Sequence, residues 1–297
     1  MKRETVISAS NPKIKNLLLL QEKAKARKEQ GLFVVEGLRE LQHCLEGGFK
    51  VRTIFFCPEI LDASAAEGIV SKISGHPRPD KREGPIADGR GRSEAEAIGD
   101  TIPSAAETLV IDIPEQLYRK AAYRDSTEGI IAEVEYKALT LSDLQLPENP
   151  LIMVLESVEK PGNLGAVLRS ADAAGASAVF ICDPLTDLYN PNLIRASIGA
   201  VFTVPVVAVS SEDAIAFLQE RGIQILTAQL QDSSLYYDVE MKRGTALVMG
   251  TESTGLTDRW REAATSHIRI PMLGRLDSLN VSVSAAILLF EAVRQRQ

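Results

Sequence analysis

Three stretches in the second half of the chain carry side chains that could act on a bound ligand. Asn163 and Arg169 follow "ESVEKPG", Glu252 lies within "MGTESTG", and Ser278 and Asn280 lie within "GRLDSLNVS". No histidine lies in these stretches, so the commonest general base is absent. An amide, a carboxylate, a hydroxyl or an arginine would have to position or stabilise a reacting group there.

Each stretch taken singly also has an ordinary structural explanation. Asn163 could cap a helix, Arg169 could be a surface arginine, and Glu252 could be an exposed acid in a turn. The first stretch also invites comparison with a dinucleotide-binding turn, because Asp183 follows about 20 residues downstream. The GxGxxG spacing of such turns is absent, since the two glycines of "PGNLG" are only three residues apart.

The elements around these stretches alternate between strand and helix. Strands are predicted at "LIMVLESV", "AVFICD", "IQILTAQ", "ALVMGTE" and "HIRIPM". Helices are predicted at "NLGAVLRSADAAG", "PNLIRASIGAV", "SEDAIAFLQERG", "LTDRWREAA" and the C-terminal stretch. This alternation predicts a mostly parallel sheet with helices on both faces. Ligands bind beyond the carboxyl ends of the strands in such sheets, which is where the three stretches lie.

The first half predicts a smaller α/β unit. Its strands are "GLFVVEG", "VRTIFFC", "ETLVIDI" and "GIIAEVEY", with helical patterns at "LRELQHCLEGG" and "PEQLYRKAAY". Residues 75–104 are rich in Gly, Pro and charge, which predicts a disordered insertion. We therefore divide the chain into a first domain (1–137), a linker (138–149) and a second domain (150–297).

Charge is distributed unevenly along the chain. The net charge is −7 over 297 residues, yet residues 1–30 hold eight Lys/Arg against three Asp/Glu. Such asymmetry suggests a polyanionic partner, although a solvated helix face explains it equally well. The candidate RNA-contacting residues of this segment are Lys13, Lys15, Lys23, Lys25, Arg27 and Lys28.

Composition excludes several other classes of protein. The three cysteines are scattered without a CxxC pair, which argues for a reducing compartment and against a structural zinc site. The N-terminal residues lack the apolar core of a signal peptide, and no stretch approaches the roughly 18 apolar residues of a membrane span. We therefore expect a cytoplasmic protein with neither a metal site nor a membrane anchor.

Taken together, the three stretches resemble the motifs of the SpoU/TrmH family of RNA ribose 2′-O-methyltransferases, in the SPOUT superfamily. The first motif is matched by Asn163, Gly165, Arg169 and Gly175, the second by Gly250, Glu252, Gly255 and Leu256, and the third by Ile270, Pro271, Met272, Gly274, Ser278, Leu279, Asn280, Val281 and Ser282. The first half resembles the family's substrate-binding domain through "SNPKIKNLLLLQEKAKARKEQGLFVVEGLREL".

The resemblance implies a role for each motif residue. Arg169 would contact the target hydroxyl or its phosphate, with Asn163 positioning Arg169 or the ribose. Glu252, Ser278 and Asn280 would hold the other side of the pocket. Because the pKa of an arginine lies above about 12, we expect its cation to stabilise the developing alkoxide while the proton leaves to a phosphate or to water.

The cofactor that the resemblance implies is S-adenosyl-L-methionine. The residues expected to bind it, chiefly through backbone groups and with a methionine side chain as one wall, are Gly250, Thr251, Gly255, Ile270, Met272 and Leu279.

The resemblance also implies a fold that periodicity does not predict. The second domain would be an α/β-knot (SPOUT) domain, in which the C-terminal chain threads through a loop to form a deep trefoil knot. The C-terminal helix supports burial on two sides, because Val281, Ala285, Leu288, Leu289 and Ala292 form one apolar stripe. A second stripe is formed by Val283, Ala286, Phe290 and Val293. We therefore expect a homodimer built on this helix, with its polar start in the active site.

The expected activity is methylation of a ribose 2′-hydroxyl in structured RNA, with ribosomal RNA as the first choice of substrate and transfer RNA as the second. Two other classes stay open at this point. One is a nucleotide-dependent oxidoreductase on a doubly wound sheet, and the other is a non-catalytic RNA-binding relative. Binding of S-adenosylmethionine would distinguish a methyltransferase from the oxidoreductase. Methyl transfer to RNA would distinguish it from the non-catalytic RNA-binding relative.

Overall fold

The computed structural model describes residues 2–62, 108–123, 128–251, 254–276 and 278–297. The expected insertion at 75–104 and the motif residue Glu252 lie outside these ranges. Within them the chain forms two β-sheets, one from each half of the sequence.

The first sheet is mixed and has five strands in the described part of the chain. They are β1 (Lys2–Thr5), β2 (Leu32–Glu36), β3 (Val51–Phe56), β4 (Leu109–Asp112) and β5 (Ile130–Glu135), in the order β1-β4-β3-β5-β2. β5 runs antiparallel to both of its neighbours, and the other pairs are parallel. The helices of this half are α1 (Pro12–Glu22), α2 (Ala24–Gln30), α3 (Leu38–Glu46) and α4 (Glu115–Ala121).

The second sheet is parallel at every described pair, as the strand–helix alternation predicts. Its strands are β6 (Leu151–Glu156), β7 (Ala178–Cys182), β8 (Val206–Val209), β9 (Gln224–Ala228), β10 (Ser234–Leu235), β11 (Thr245–Met249) and β12 (Ser266–Arg269). Their order is β10-β12-β9-β11-β6-β7-β8. The sequence prediction missed β1, β8 and β10, which are edge strands of only two to four residues.

The helices of the second half cover the sheet and include the C-terminal helix. They are α5 (Pro161–Ala173), α6 (Pro191–Ser197), α7 (Ala200–Thr203), α8 (Ser211–Glu220), α9 (Asp258–Ala263) and α10 (Val281–Arg296). Within the described residues no helix has the length and apolar character needed to cross a membrane. α10 packs against α5, β6 and β11, which places it on one face of the sheet. The strand order and these contacts do not trace the threading of the chain, so the trefoil knot stays a prediction.

α10 is buried on one stripe only. All members of the first predicted stripe, including Leu289, are buried. On the second stripe, Val283 and Phe290 are each 48% exposed. In the single chain α5 and the sheet cover only one side of the helix, so burial of the second stripe, which was expected from a partner chain, stays a prediction.

A buried ion pair joins the two halves of the chain. The Arg27 guanidinium donates from Nε to Asp187 Oδ2 at 2.6 Å, and both side chains are almost fully buried. Arg27 Nη1 also donates to the carbonyl of Leu20, and Asp187 accepts from the hydroxyl of Tyr136. The prediction that Arg27 contacts RNA is therefore wrong, since a residue 1% exposed in an ion pair is out of reach of RNA phosphates.

Aromatic packing surrounds this ion pair. The ring of Phe33 in β2 stacks on that of Tyr189 in the second half, with centroids 4.1 Å apart and an interplanar angle of 11°. The Tyr189 hydroxyl donates to the carbonyl of Lys137 at 2.6 Å. One apolar cluster therefore runs from a face of the first sheet to a face of the second. A cavity of about 550 Å³ opens beside it, lined in part by Lys28, Phe49 and Tyr136.

The predicted linker is packed against the second sheet. Leu139 forms a parallel bridge with Val207 of β8, and a 3-10 turn follows at Leu141–Asp143. Leu144 and Leu146 pack with them on the outer apolar cluster of the second half. The segment thus gives the two halves a fixed connection and adds to the core of the second.

Removing one partner of the buried ion pair should weaken the fold far more than removing an exposed one. We expect Arg27→Ala to lower the free energy of unfolding by about 3–5 kcal/mol, because Asp187 is then left buried without its counter-charge. The pair Arg3–Asp112 is a matched control, since the Arg3 side chain is 63% exposed and its removal should cost under about 1 kcal/mol. Urea unfolding followed by circular dichroism measures both.

The double variant Arg27→Met, Asp187→Asn should recover much of the stability, because no unpaired charge remains in the junction. Equal effects of Arg27→Ala and Arg3→Ala would show that the junction ion pair does not hold the halves together.

Candidate active site

A cavity of about 410 Å³ opens at the carboxyl ends of β9, β11 and β12. This is the edge at which a parallel sheet binds its ligands. The predicted site residues that line it are Gly250, Thr251, Gly255, Ile270, Met272, Ser278 and Leu279. The whole set predicted to bind the cofactor, together with Ser278, therefore meets in one place although the second and third motifs are about 20 residues apart in sequence. The larger cavity at the junction holds none of the motif residues.

The second motif forms a tight loop because two glycines touch. A Cβ on Gly250 would lie 2.2 Å from the carbonyl oxygen of Gly255, so no larger residue fits there. Gly255 has φ +69°, and its N–H donates to the carbonyl of Thr251 at 3.1 Å. The loop thus presents backbone groups to the cavity. Glu252 belongs to this loop but lies outside the described residues, so its predicted role stays a prediction.

A buried carboxylate that the sequence motifs do not include anchors the end of this loop. Glu156, at the end of β6, is 3% exposed. It accepts hydrogen bonds from the Thr257 N–H at 2.9 Å and from the Thr257 hydroxyl at 2.6 Å. Thr257 immediately precedes α9, so Glu156 fixes the second-motif loop to the neighbouring strand. The acid in "VLESV" was the available signal, because it ends a fully apolar strand.

The polar start of α10 is explained first by capping. Asn280 is the N-cap residue, and its Oδ1 accepts from the Ser282 N–H at 3.0 Å and from the Ser282 hydroxyl at 2.6 Å. Its Nδ2 donates to Asn163 Oδ1 at 3.2 Å. The third motif is therefore tied to the first by an amide pair, with Asn280 serving both helix and site.

Asn163 is not the helix cap that its sequence context allowed. α5 begins two residues earlier, at Pro161, so Asn163 lies in the first turn with its side chain directed to Asn280. Gly165 allows α5 to meet α6, since a Cβ there would lie 2.6 Å from the Cβ of Ala196. Arg169 is exposed on α5, about 9 Å along the helix from Asn163. It does not line the 410 Å³ cavity.

Asp183 has a structural role. Its Oδ2 accepts from the Ser211 hydroxyl at 2.6 Å, and that hydroxyl accepts in turn from the Trp260 indole at 2.9 Å. The Asp183 carboxylate is thereby hydrogen-bonded to the first residue of α8. It is not free to bind the ribose of a dinucleotide. This arrangement removes the observation that favoured an oxidoreductase.

The cavity is also lined by residues that belong to none of the three motifs. They come from the loop after β9 and from two arginines. Gln229 and Gln231 line the cavity beside Ala228, as do Arg261 of α9 and Arg269 of β12. The rule that ligands meet the carboxyl end of every strand was the signal that could have found Gln229. No sequence signal indicated the two arginines, because they lie between motifs.

Thiol chemistry is disfavoured by burial. Cys44 and Cys182 are fully buried, and burial raises the pKa of each thiol far above its ordinary range. Both therefore stay protonated at neutral pH, and a neutral thiol is a poor nucleophile. Among the residues with a described placement, no group of three His, Cys, Asp or Glu could hold a metal ion.

The basic segment of the first half forms α1 and α2 and the turn between them. Lys15, Lys23, Lys25 and Lys28 are exposed there. Lys13 is partly buried and pairs with Glu4. Apart from Arg27, the predicted RNA-contacting residues are thus on or near the surface, and Lys28 lies at the rim of the junction cavity.

Comparison with known proteins agrees with this architecture. Residues 150–290 match the SpoU rRNA Methylase family, and residues 11–80 match the MRM3-like substrate binding domain. The 23S rRNA (guanosine-2′-O-)-methyltransferase RlmB of Ralstonia nicotianae is 36% identical over 197 residues, which cover 65% of this chain and 79% of the relative.

Two solved structures extend the likeness over the whole chain. A crystal structure of an RNA 2′-O ribose methyltransferase has 33% identity and a TM-score of 0.76, with 99% of each chain covered. The AdoMet-bound rRNA methyltransferase of Sinorhizobium meliloti has 28% identity and a TM-score of 0.81, covering 99% of this chain and 98% of the other. These matches show that this chain belongs to the SpoU methylase family.

Proposed function

We propose that this protein transfers a methyl group from S-adenosyl-L-methionine to a ribose 2′-hydroxyl of ribosomal RNA. The observation that carries the proposal is the convergence of the second and third motifs on one cavity at the carboxyl ends of β9, β11 and β12. The Ralstonia and Sinorhizobium proteins named above are rRNA methyltransferases, and the Sinorhizobium structure is AdoMet-bound.

The cavity fits the proposed cofactor. Met249, Ile268 and Leu288 give its lining an apolar part, and Gly250, Thr251 and Gly255 of the second motif lie beside them. An adenosine needs both an apolar slot and a few polar groups at fixed positions. Gly250, Thr251 and the third-motif backbone would hold it there. The bound cofactor supplies a methyl group on a sulfonium centre.

The chain itself must position and activate the ribose hydroxyl. Ser278 at the cavity and the Asn163–Asn280 pair beside it supply neutral donors and acceptors for a ribose. Arg169 supplies a cation that stabilises the oxygen as it loses its proton, which passes to a phosphate or to water. Since Arg169 is exposed and outside the cavity lining, it acts on RNA that approaches along α5 and not on the cofactor.

The first half is the proposed RNA-binding unit, with its exposed lysines on α1 and α2. Ribosomal RNA is favoured over transfer RNA because the chain matches RlmB relatives as well as a substrate binding domain. We also propose a cytoplasmic site of action, on the support of the rRNA-modifying relative. A non-catalytic RNA-binding relative is the second candidate, and it requires RNA binding without methyl transfer.

A homodimer completes the proposal. The half-exposed stripe of α10 leaves Val283 and Phe290 facing solvent in a single chain. The N-terminal end of the same helix carries Asn280, so a second chain on this stripe would lie beside the site. An isologous interface of this kind would place two such helices face to face.

The central test is the mapping of ribose methylation in RNA, with Arg169 variants as the catalytic probe. Purified protein, S-adenosylmethionine and total RNA should give methyl incorporation at a discrete ribosomal position. Arg169→Ala should lower kcat/KM by about 10²–10³-fold, the reduction typical of removing one transition-state donor. Arg169→Lys should also fail, because a point charge cannot replace the planar fork.

Calorimetric affinity for S-adenosylmethionine should be unchanged in both Arg169 variants. Arg195, an exposed arginine of α6, offers a matched control when changed to Ala. Full activity of Arg169→Ala would remove Arg169 from the mechanism, and RNA binding without any methyl transfer by the wild type would favour the non-catalytic candidate.

The second test concerns the exposed lysines of the first half. The triple variant Lys15→Gln, Lys25→Gln, Lys28→Gln should bind RNA more weakly at moderate salt. The slope of log affinity against log salt should flatten by roughly 0.7–0.9 for each phosphate that the protein no longer neutralises. Lys120→Gln, on α4 of the same half, is the control. An unchanged slope would mean that these lysines are only a solvated face.

The third test concerns the dimer. Phe290→Asp places a charge on the half-exposed stripe without disturbing the buried one, so the chain should still fold. Light scattering should then report a monomer without methyl-transfer activity. Its circular dichroism spectrum should match that of the wild type. Gln297→Asp, at the exposed end of the chain, is the control for added charge. A wild type that is monomeric and fully active at micromolar concentration would contradict the proposal.

A further inference from the structure

The cofactor cavity has an uneven charge. Its charged lining residues, within the described ranges, are Arg261 and Arg269, and no described carboxylate faces it. Two acidic residues of the adjoining loops, Glu252 and Asp277, lie outside those ranges. A guanidinium group that lines a cavity attracts an anionic group of a bound ligand.

Arg261 is held loosely by its neighbours. Its Nη1 lies 3.4 Å from Asp258 Oδ1, and the Asp258 side chain is 86% exposed. An exposed pair at that distance neutralises little of the charge. The Nε atom of Arg261 is buried and has no hydrogen-bond partner among the described residues. Arg261 Nη2 lies near Gly255, 3.9 Å from where a Cβ would be, so the guanidinium is next to the second-motif loop.

Arg269 is the second cation of the cavity. It lies on β12, and its Nη1 is 3.4 Å from the Ser233 hydroxyl, which directs it toward the segment before β10. Of the two cations, Arg261 is therefore the one beside the loop whose backbone is proposed to hold the cofactor.

S-adenosylmethionine carries a sulfonium, an ammonium and one carboxylate. The carboxylate is its single anionic group, and a planar guanidinium binds a carboxylate through two parallel hydrogen bonds. We propose that Arg261 binds the carboxylate of S-adenosylmethionine and thereby sets which end of the cofactor lies beside the second-motif loop. This inference rests on the proposed function, and it adds a specificity-determining residue that belongs to none of the three motifs.

The assignment predicts selectivity for the carboxylate. Isothermal titration calorimetry compares S-adenosylmethionine with its decarboxylated analogue, which keeps the sulfonium and the ammonium. The wild type should bind S-adenosylmethionine at least about tenfold more tightly than the analogue, the difference expected for a charge-assisted hydrogen bond. Arg261→Gln should weaken binding of S-adenosylmethionine by about that factor and change binding of the analogue little or not at all.

Arg259→Gln is the matched control, because Arg259 is an exposed arginine on the same short helix. It should leave both affinities unchanged, and thermal unfolding should show that Arg261→Gln is folded. Equal weakening for both ligands would make Arg261 a structural residue, and no weakening for either would remove it from the site; each result overturns the inference.

Arg269→Gln distinguishes the two cations. If it, and not Arg261→Gln, abolishes the selectivity, the assignment to Arg261 is wrong. If the wild type and Arg261→Gln bind S-adenosylmethionine equally well, this inference alone is overturned. A wild type that binds neither ligand overturns the proposed function as well, so the two failures are separable.

Discussion

The interaction on which the arrangement of the molecule depends is the buried ion pair between Arg27 and Asp187. Two charges away from water are tolerated only when every remaining donor and acceptor is satisfied. Here the guanidinium also reaches the carbonyls of Leu20 and Gln21 at the end of α1. The carboxylate also accepts from the N–H of Tyr189 at 3.0 Å. Such a network has one geometry, so the two halves meet in one orientation.

From this junction a short series of contacts leads to the chemistry. Asp187 lies just before α6, and α6 packs against α5 because Gly165 has no side chain. α5 carries Asn163, whose amide is paired with that of Asn280 at the start of α10. α6 therefore connects the junction, which orients the first half, with α5, which carries the first motif. A substrate held by α1 and α2 would be presented at a defined place relative to Arg169.

The alternation of apolar runs and helical patterns predicted the parallel sheet and most of its strands, because these depend on local order. The residues predicted to bind the cofactor came from the resemblance to the SpoU/TrmH family, and the structure brings them to one cavity. Apolar runs alternate with helical patterns, and the carboxyl ends of parallel strands meet at one edge. The burial of Arg27 in an ion pair was not predicted, since a basic residue in a basic segment gives no sign of an acidic partner 160 positions away. Nor could periodicity tell that Phe290 is half exposed while Leu289 is buried, because both stripes of α10 are apolar and only packing distinguishes them.

The junction also limits how the two halves can be recombined. A first half that carries the equivalent of Arg27 can be joined only to a second half that supplies an acid in the loop before α6 and an aromatic ring at Tyr189 for Phe33 to stack on. A chimera that grafts the first half onto a catalytic domain lacking both would bury a lone guanidinium. Exchange of RNA specificity between relatives should therefore require a matched junction, so that both contacting surfaces are transferred together.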